Sequence, residues 1–195
     1  NDWHDGQASF SPDDKKIVYV SGFSIKLMDL KTREITNLDQ PEGIIIKWEK
    51  PVNQYYPSFS PDGKEILFQA GFQKRKIYLM DINGKNLKGL SGIEDEDYYP
   101  SFSPDGKKII FVSERTGDDE LYLMDKNGKN QIRLTLDGMN KKHPCFSPDG
   151  KQIAYVAKEK DKPDPYFEIY LLSLNEIIPR ERLVNRLDNM LKVNQ

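Results

Sequence analysis

The run from Tyr98 to Thr135, YYPSFSPDGKKIIFVSERTGDDELYLMDKNGKNQIRLT, decides the fold because its opening recurs along the chain. PSFSPDGK stands at 100–107 and again at 57–64, PCFSPDGK at 144–151 and ASFSPDDK at 8–15. The copies place Phe10, Phe59, Phe102 and Phe146 at steps of 49, 43 and 44 residues. A period in the forties marks a repeat architecture, in which one unit cannot bury its apolar faces alone and must stack on its neighbours.

Within the third copy four segments have strand character: Pro100–Ser103, Lys108–Ser113, Glu120–Asp125 and Gln131–Thr135. Branched and aromatic residues fill them, and Gly, Pro, Asn and Asp stand between. Ile17–Val20, Ile66–Gln69 and Ile153–Val156 match the second segment, and Ile25–Leu30, Ile77–Ile82 and Ile169–Leu174 the third. In Ser-Pro-Asp-Gly, proline presets the first corner, aspartate bonds its own backbone, and glycine takes the left-handed conformation. Asp14 replaces that glycine in the first copy. Asn83-Gly84 and Asn127-Gly128 read as the turns between the third and fourth segments. Hairpins of this kind require antiparallel strands. The sequence therefore predicts an all-β chain, a β-propeller of four-stranded antiparallel blades with four repeats visible. One propeller domain is expected over 1–195, with blades at about 6–38, 55–90, 98–135 and 142–185 and a tail at 186–195. Over 180–195, Leu183, Leu187 and Leu191 have the spacing of a short amphipathic helix, with 181–185 competing as a last strand and a strand followed by a short helix or frayed end favoured.

The PSFSPDGKKIIFVS…ELYLMDKNG…RLT pattern resembles the WD-repeat-like propeller repeat of the TolB family. It is similar also to the propellers fused to prolyl oligopeptidase-type hydrolases. The resemblance extends over about residues 6–185 and implies a periplasmic or envelope protein, with the cytoplasm as the alternative. Such propellers usually have six blades and a further amino-terminal domain. A ring closed by four blades, a fragment of a larger ring, and a ring completed by a second chain as a homo-oligomer all stay open.

Charge is nearly balanced, 29 basic against 31 acidic side chains, so no global field points to nucleic acid. The apolar run Gly43–Trp48 is too short to span a bilayer, and no membrane insertion is expected. The chain begins at Asn1, so either a leader has been removed or the cloned segment starts there.

Function is expected in the loops that vary while the scaffold repeats. These are 21–24, 70–76, 113–120 and 157–166 between the second and third strands, and 39–54, 91–97 and 136–142 before the inner strands. One register position stands out: the residue before the Pro or Ala of each inner strand is Gln7, Tyr56, Tyr99 or His143, with Tyr55, Tyr98 and Lys142 just above. Aromatic rings with polar tips offer large contact area at small entropic cost. Two readings stand side by side: a binding site at the channel mouth, or a plug that caps the neighbouring blade. Trp48 with Ile44–Ile46 reads as an apolar lid or a partner anchor on the rim.

Catalytic signatures are missing. There is no G-x-S-x-G elbow, no H-E-x-x-H, and the two histidines, His4 and His143, lie almost three blades apart. Cys145 takes the place of Ser9, Ser58 and Ser101 and reads as a packed substitute. The acidic run 94–97 and the pair Asp118-Asp119 read as solvated loop faces before they read as a calcium site. The expectation is a non-enzymatic scaffold for a protein or peptide, with no cofactor and no metal. The alternatives are a saccharide-binding or lyase-like propeller and the substrate-gating propeller of a hydrolase.

Overall fold

The SPDG corners explain how each repeat starts. In the second repeat the Ser60 hydroxyl donates to Asp62 Oδ1 at 2.6 Å and accepts from Glu65 N at 3.0 Å, while Asp62 Oδ1 accepts from Lys64 N at 3.1 Å. The same serine-to-aspartate bond recurs at Ser11–Asp13, Ser103–Asp105 and Ser147–Asp149. These serine hydroxyls hold all four carboxyls below the usual range. A carboxyl whose folded pKa is depressed contributes stability that is complete above its unfolded pKa and is lost as pH falls through the folded value. Urea midpoints should therefore hold down to about pH 4 and then fall, and Asp62→Asn/Asp105→Asn should flatten that acid limb.

The computed structural model describes residues 6–22, 24–38, 54–71, 74–92, 95–160 and 166–174, and the predicted tail and the loop at 39–53 lie outside them. Four antiparallel sheets follow one another. The first holds β1 (Gly6–Phe10), β2 (Lys16–Ser21), β3 (Ser24–Asp29) and β4 (Ile35–Asn37). The second holds β5 (Gln54–Phe59), β6 (Glu65–Ala70), β7 (Lys76–Asp81) and β8 (Lys88–Gly89). The third holds β9 (Asp97–Phe102), β10 (Lys108–Ser113), β11 (Glu120–Asp125) and β12 (Ile132–Arg133). The fourth has three strands among the described residues, β13 (Asn140–Phe146), β14 (Gln152–Lys158) and β15 (Glu168–Ser173). Strands pair in chain order within every sheet, as a meander of hairpins requires.

The turn after the third strand is built differently from a bare Asn-Gly hairpin. The aspartate that ends the strand organises it: Asp81 Oδ1 accepts from Asn83 N and Lys85 N at 2.9 Å each, and Asp81 Oδ2 accepts from Asn86 Nδ2. In the first repeat the N–H groups of Thr32 and Lys31 do the same to Asp29 and draw its carboxyl down to about 2. The methionine beside each of these aspartates points the other way, and Met80 and Met124 are buried.

Alternation along the strands gives every sheet two apolar faces, and each sheet packs on the next. Val18, Ile25 and Leu27 of the first sheet meet Ile66, Phe68, Tyr78 and Met80 of the second. Leu67, Ile77 and Leu79 then meet Ile109, Phe111, Tyr122 and Met124, and Ile110, Val112 and Leu121 meet Ile153 and Tyr155. Strand β15 carries Ile169 and Leu171 at the positions of Leu121 and Leu123, yet they are 79 % and 65 % exposed. No later sheet among the described residues covers that face. The same face leaves Cys145 exposed, so the expectation of a packed cysteine is corrected.

Turns also touch across sheets. At Gly128 (φ +84°) an added Cβ would lie 2.9 Å from the Leu90 carbonyl oxygen of the preceding sheet, whereas at Gly117 (φ +90°) it would meet open space. Gly117→Ala should cost about 1 kcal/mol from backbone conformation alone. Gly128→Ala should cost about 2–3 kcal/mol because the neighbouring sheet must also give way. Paired urea unfolding curves measure the difference.

Candidate functional site

Each inner strand breaks register at one place. The ladder slips between Gly6 and Ser9, between Tyr55 and Ser58, opposite Ile110 and Val112, and between Lys142 and Cys145. Every slip is a bulge centred on the position singled out by the sequence. Gln7, Tyr56, Tyr99 and His143 all have left-handed φ, at 57°, 54°, 54° and 51°. A side chain other than glycine costs roughly 1–3 kcal/mol there, and a following proline restricts the residue before it further. Three of the four precede proline. Strain repeated at one register position is held by the surrounding packing and tends to collect where function needs it.

Part of what holds it is a carbonyl oxygen from the preceding sheet. Tyr56 N donates to Gln7 Oε1 at 2.7 Å, and Tyr99 N donates to Gln69 Oε1 at 2.7 Å. The bulges bring together three of the predicted residues, one from each of three consecutive sheets. The Tyr56 ring lies edge-on to Tyr99 at 4.9 Å and to His143 at 5.4 Å, and Tyr99 and His143 are 4.2 Å apart. Gln7 joins the group through its bond to Tyr56 N. Burial, then the nearby Tyr99, pushes the Tyr56 phenol up to about 12. Burial and Lys142 lower the His143 imidazole. The cluster offers ring surface with polar tips, half-buried at Tyr56 and Tyr99 and exposed at His143.

Tyr98 has a supporting place. It is 3 % exposed, carries the Arg75 guanidinium 4.3 Å above its ring, and its hydroxyl meets Glu114 at 2.9 Å and also Asp119. Burial and these carboxylates push its phenol up. Tyr99 packs edge-on against it at 5.1 Å. Tyr55 is half-buried beside Gln69 on the paired strand. Trp48 and Ile44–Ile46 lie outside the described residues.

Of the acidic run, Asp95, Glu96 and Asp97 are drawn onto arginines, and Glu94 lies outside the described residues. Arg75 binds Glu96 through Nε and Nη2 at 2.9 and 2.6 Å, and Arg115 Nη2 binds Asp97 at 2.8 Å and meets Asp95 at 3.4 Å. Arg115 also bonds Gln131 and lies over the Tyr122 ring. The rim loops at 113–120 and 157–166 are joined by the pair Lys160–Asp118. Among the described residues no three His, Cys, Asp or Glu side chains converge as metal ligands.

Two features escaped the sequence. Gln69 stands in a strand position where the other repeats have Val20, Val112 and Val156, and that odd polar residue was the available signal. Lys141 is fully buried against Glu120 across the third seam.

The TolB beta propeller domain model matches residues 7–176. No functionally curated protein matches the sequence. Among solved structures, TolB from Acinetobacter baumannii is 31 % identical, with a TM-score of 0.69 over 89 % of this chain and 42 % of its own. The chain thus spans less than half the length of that protein. An oligogalacturonate lyase in complex with manganese is 17 % identical, with a TM-score of 0.67 over 88 % of this chain and 51 % of its own. The oligogalacturonate lyase of Vibrio parahaemolyticus is likewise 17 % identical, with a TM-score of 0.64 over 88 % and 51 %. The lyases share the fold alone. With its repeats, its stacked antiparallel sheets and a family match over most of its length, the chain belongs to the TolB beta propeller family.

Proposed function

We propose that this propeller is a non-enzymatic recognition module that holds a protein or peptide of the cell envelope at the mouth formed by Tyr56, Tyr99 and His143. The observation that carries the reading is the left-handed backbone shared by the mouth residues of all four repeats. A fold optimised for packing alone would use glycine there, as it does at the SPDG corners. Instead the repeats keep large side chains and aim three of them at one point. Rigid rings of this kind make strong contact anchors. The paired charges of the rim loops set orientation and encounter more than affinity. Membership in the TolB family supports the envelope location, and no helix among the described residues is long and apolar enough to cross a membrane.

The test is capture on immobilised protein from envelope and cytosolic extracts of the source organism, beside Tyr56→Ala/Tyr99→Ala. The reading predicts an envelope protein retained by the wild type and lost by the variant, with unchanged circular dichroism. Equal retention by both, or retention by neither, overturns it and turns the search to saccharides.

A further inference from the structure

We infer that the seam between the third and fourth sheets receives a carboxylate of the bound peptide on the main-chain N–H of His143, an inference that rests on the recognition reading above. The three seams of the chain are built alike and can be compared atom by atom. In the first, the N–H of the left-handed Tyr56 finds the Gln7 carboxamide oxygen at 2.7 Å. In the second, the N–H of Tyr99 finds the Gln69 carboxamide oxygen at 2.7 Å. In the third, His143 has the same left-handed φ in the same bulge, before the same proline. Here the position of Gln7 is held by Tyr99 and the position of Gln69 by Val112. Neither side chain carries a carbonyl oxygen, and no side-chain acceptor meets the His143 N–H among the described residues.

The counterpart of the two glutamine oxygens therefore has a defined place, beside the ring cluster and at an exposed residue. Charge selects what fills it. Lys142 adjoins His143, and its ammonium and that of Lys158 lie 4.7 and 5.3 Å from the Phe167 ring. Three carboxylates of the rim are engaged elsewhere: Glu96 with Arg75, Asp97 with Arg115, and Asp119 with the Tyr98 hydroxyl. An acceptor that is also anionic gains a charge-assisted bond and the field of Lys142, whereas a carboxamide gains only the bond. The group can come from an Asp or Glu side chain or from a chain terminus.

The test uses ¹⁵N-labelled full chain and three probes: N-acetylalanine for a terminal carboxylate, N-acetylaspartate N-methylamide for a side-chain carboxylate, and N-acetylasparagine N-methylamide for the carboxamide. At least one carboxylate should move the His143 amide proton downfield saturably, and the tighter of the two names the source. The carboxamide should need roughly tenfold more for the same shift. Val112→Gln, which copies the second seam into the third, should abolish the response. Gln69→Val, which copies the third into the second, should give the Tyr99 amide a response that it lacks in the wild type. A His143 amide unmoved by both carboxylates overturns the inference, as does a response unchanged in folded Val112→Gln. If buried Val112 does not tolerate glutamine, Gln69→Val decides: no gain at Tyr99 sinks the idea. Partner capture that depends on Tyr56 and Tyr99 alongside a silent His143 amide defeats this inference and leaves the recognition reading standing. A responsive amide without capture defeats the recognition reading and leaves a carboxylate seat.

Discussion

Lys141→Met should destabilise the protein by about 3–5 kcal/mol, because it strands a buried carboxylate. The Lys141 ammonium is fully buried, 3.0 Å from Glu120 Oε2, in contact with Asp137, and 3.1 Å from the Met139 carbonyl oxygen. Glu120 is itself buried and keeps only neutral donors, the Thr135 hydroxyl and Gly138 N at 3.0 Å, once the cation has gone. Because Lys141 belongs to β13 and Glu120 to β11, the pair ties the fourth sheet to the third, and its loss loosens that seam first. Removing both charges with Lys141→Met/Glu120→Leu should recover most of the stability, since the uncompensated charge and not the lost bond makes up most of the cost. Urea unfolding of the two single variants and the double variant closes the cycle. Single variants with wild-type midpoints would mean that water reaches the pair.

Tyr56→Ala and Tyr99→Ala should each weaken the captured partner by roughly ten- to a hundredfold, the range of a central aromatic anchor. The two rings touch, so their effects should not add. Tyr99→Phe separates area from hydroxyl. It should keep affinity within about threefold if ring surface dominates, and lose about tenfold if the hydroxyl bonds the partner. Alanine keeps the left-handed strain and gives up ring packing, so stability should fall by about 1–2 kcal/mol in either variant. The affinity loss must therefore be read on folded protein.

Turn chemistry made the blades legible in advance. Ser, Pro, Asp and Gly at fixed offsets specify one corner by local hydrogen bonds, and local bonds can be read from a sequence. The Met-Asp pairs were visible too, yet their division of labour was not, with Met80 in the seam and Asp81 folded back on its own turn. Aligning the repeats placed Tyr56, Tyr99 and His143 in one register, but the oxygens that meet the Tyr56 and Tyr99 N–H groups come from a neighbouring sheet. Gln7 and Gln69 do the same chemical work from different strands, so no single column of the repeat carries the signal. Tyr98 read as a second mouth residue just above Tyr99, and only its burial and its place under Arg75 show that it faces inward. Cys145 read as packed because it takes the place of Ser9, Ser58 and Ser101, but no later sheet among the described residues covers its face.

The claim that matters most is that the strained aromatic mouth is kept for binding. Its most direct measurement is the affinity of the captured partner for the wild type, for Tyr56→Ala/Tyr99→Ala, and for a rim control, Thr116→Ala, all confirmed as folded. The mouth predicts a loss of about a hundredfold or more in the double variant and less than about threefold in the control. Equal affinity for all three proteins would contradict it, and would leave Tyr56, Tyr99 and His143 as a plug that closes the channel.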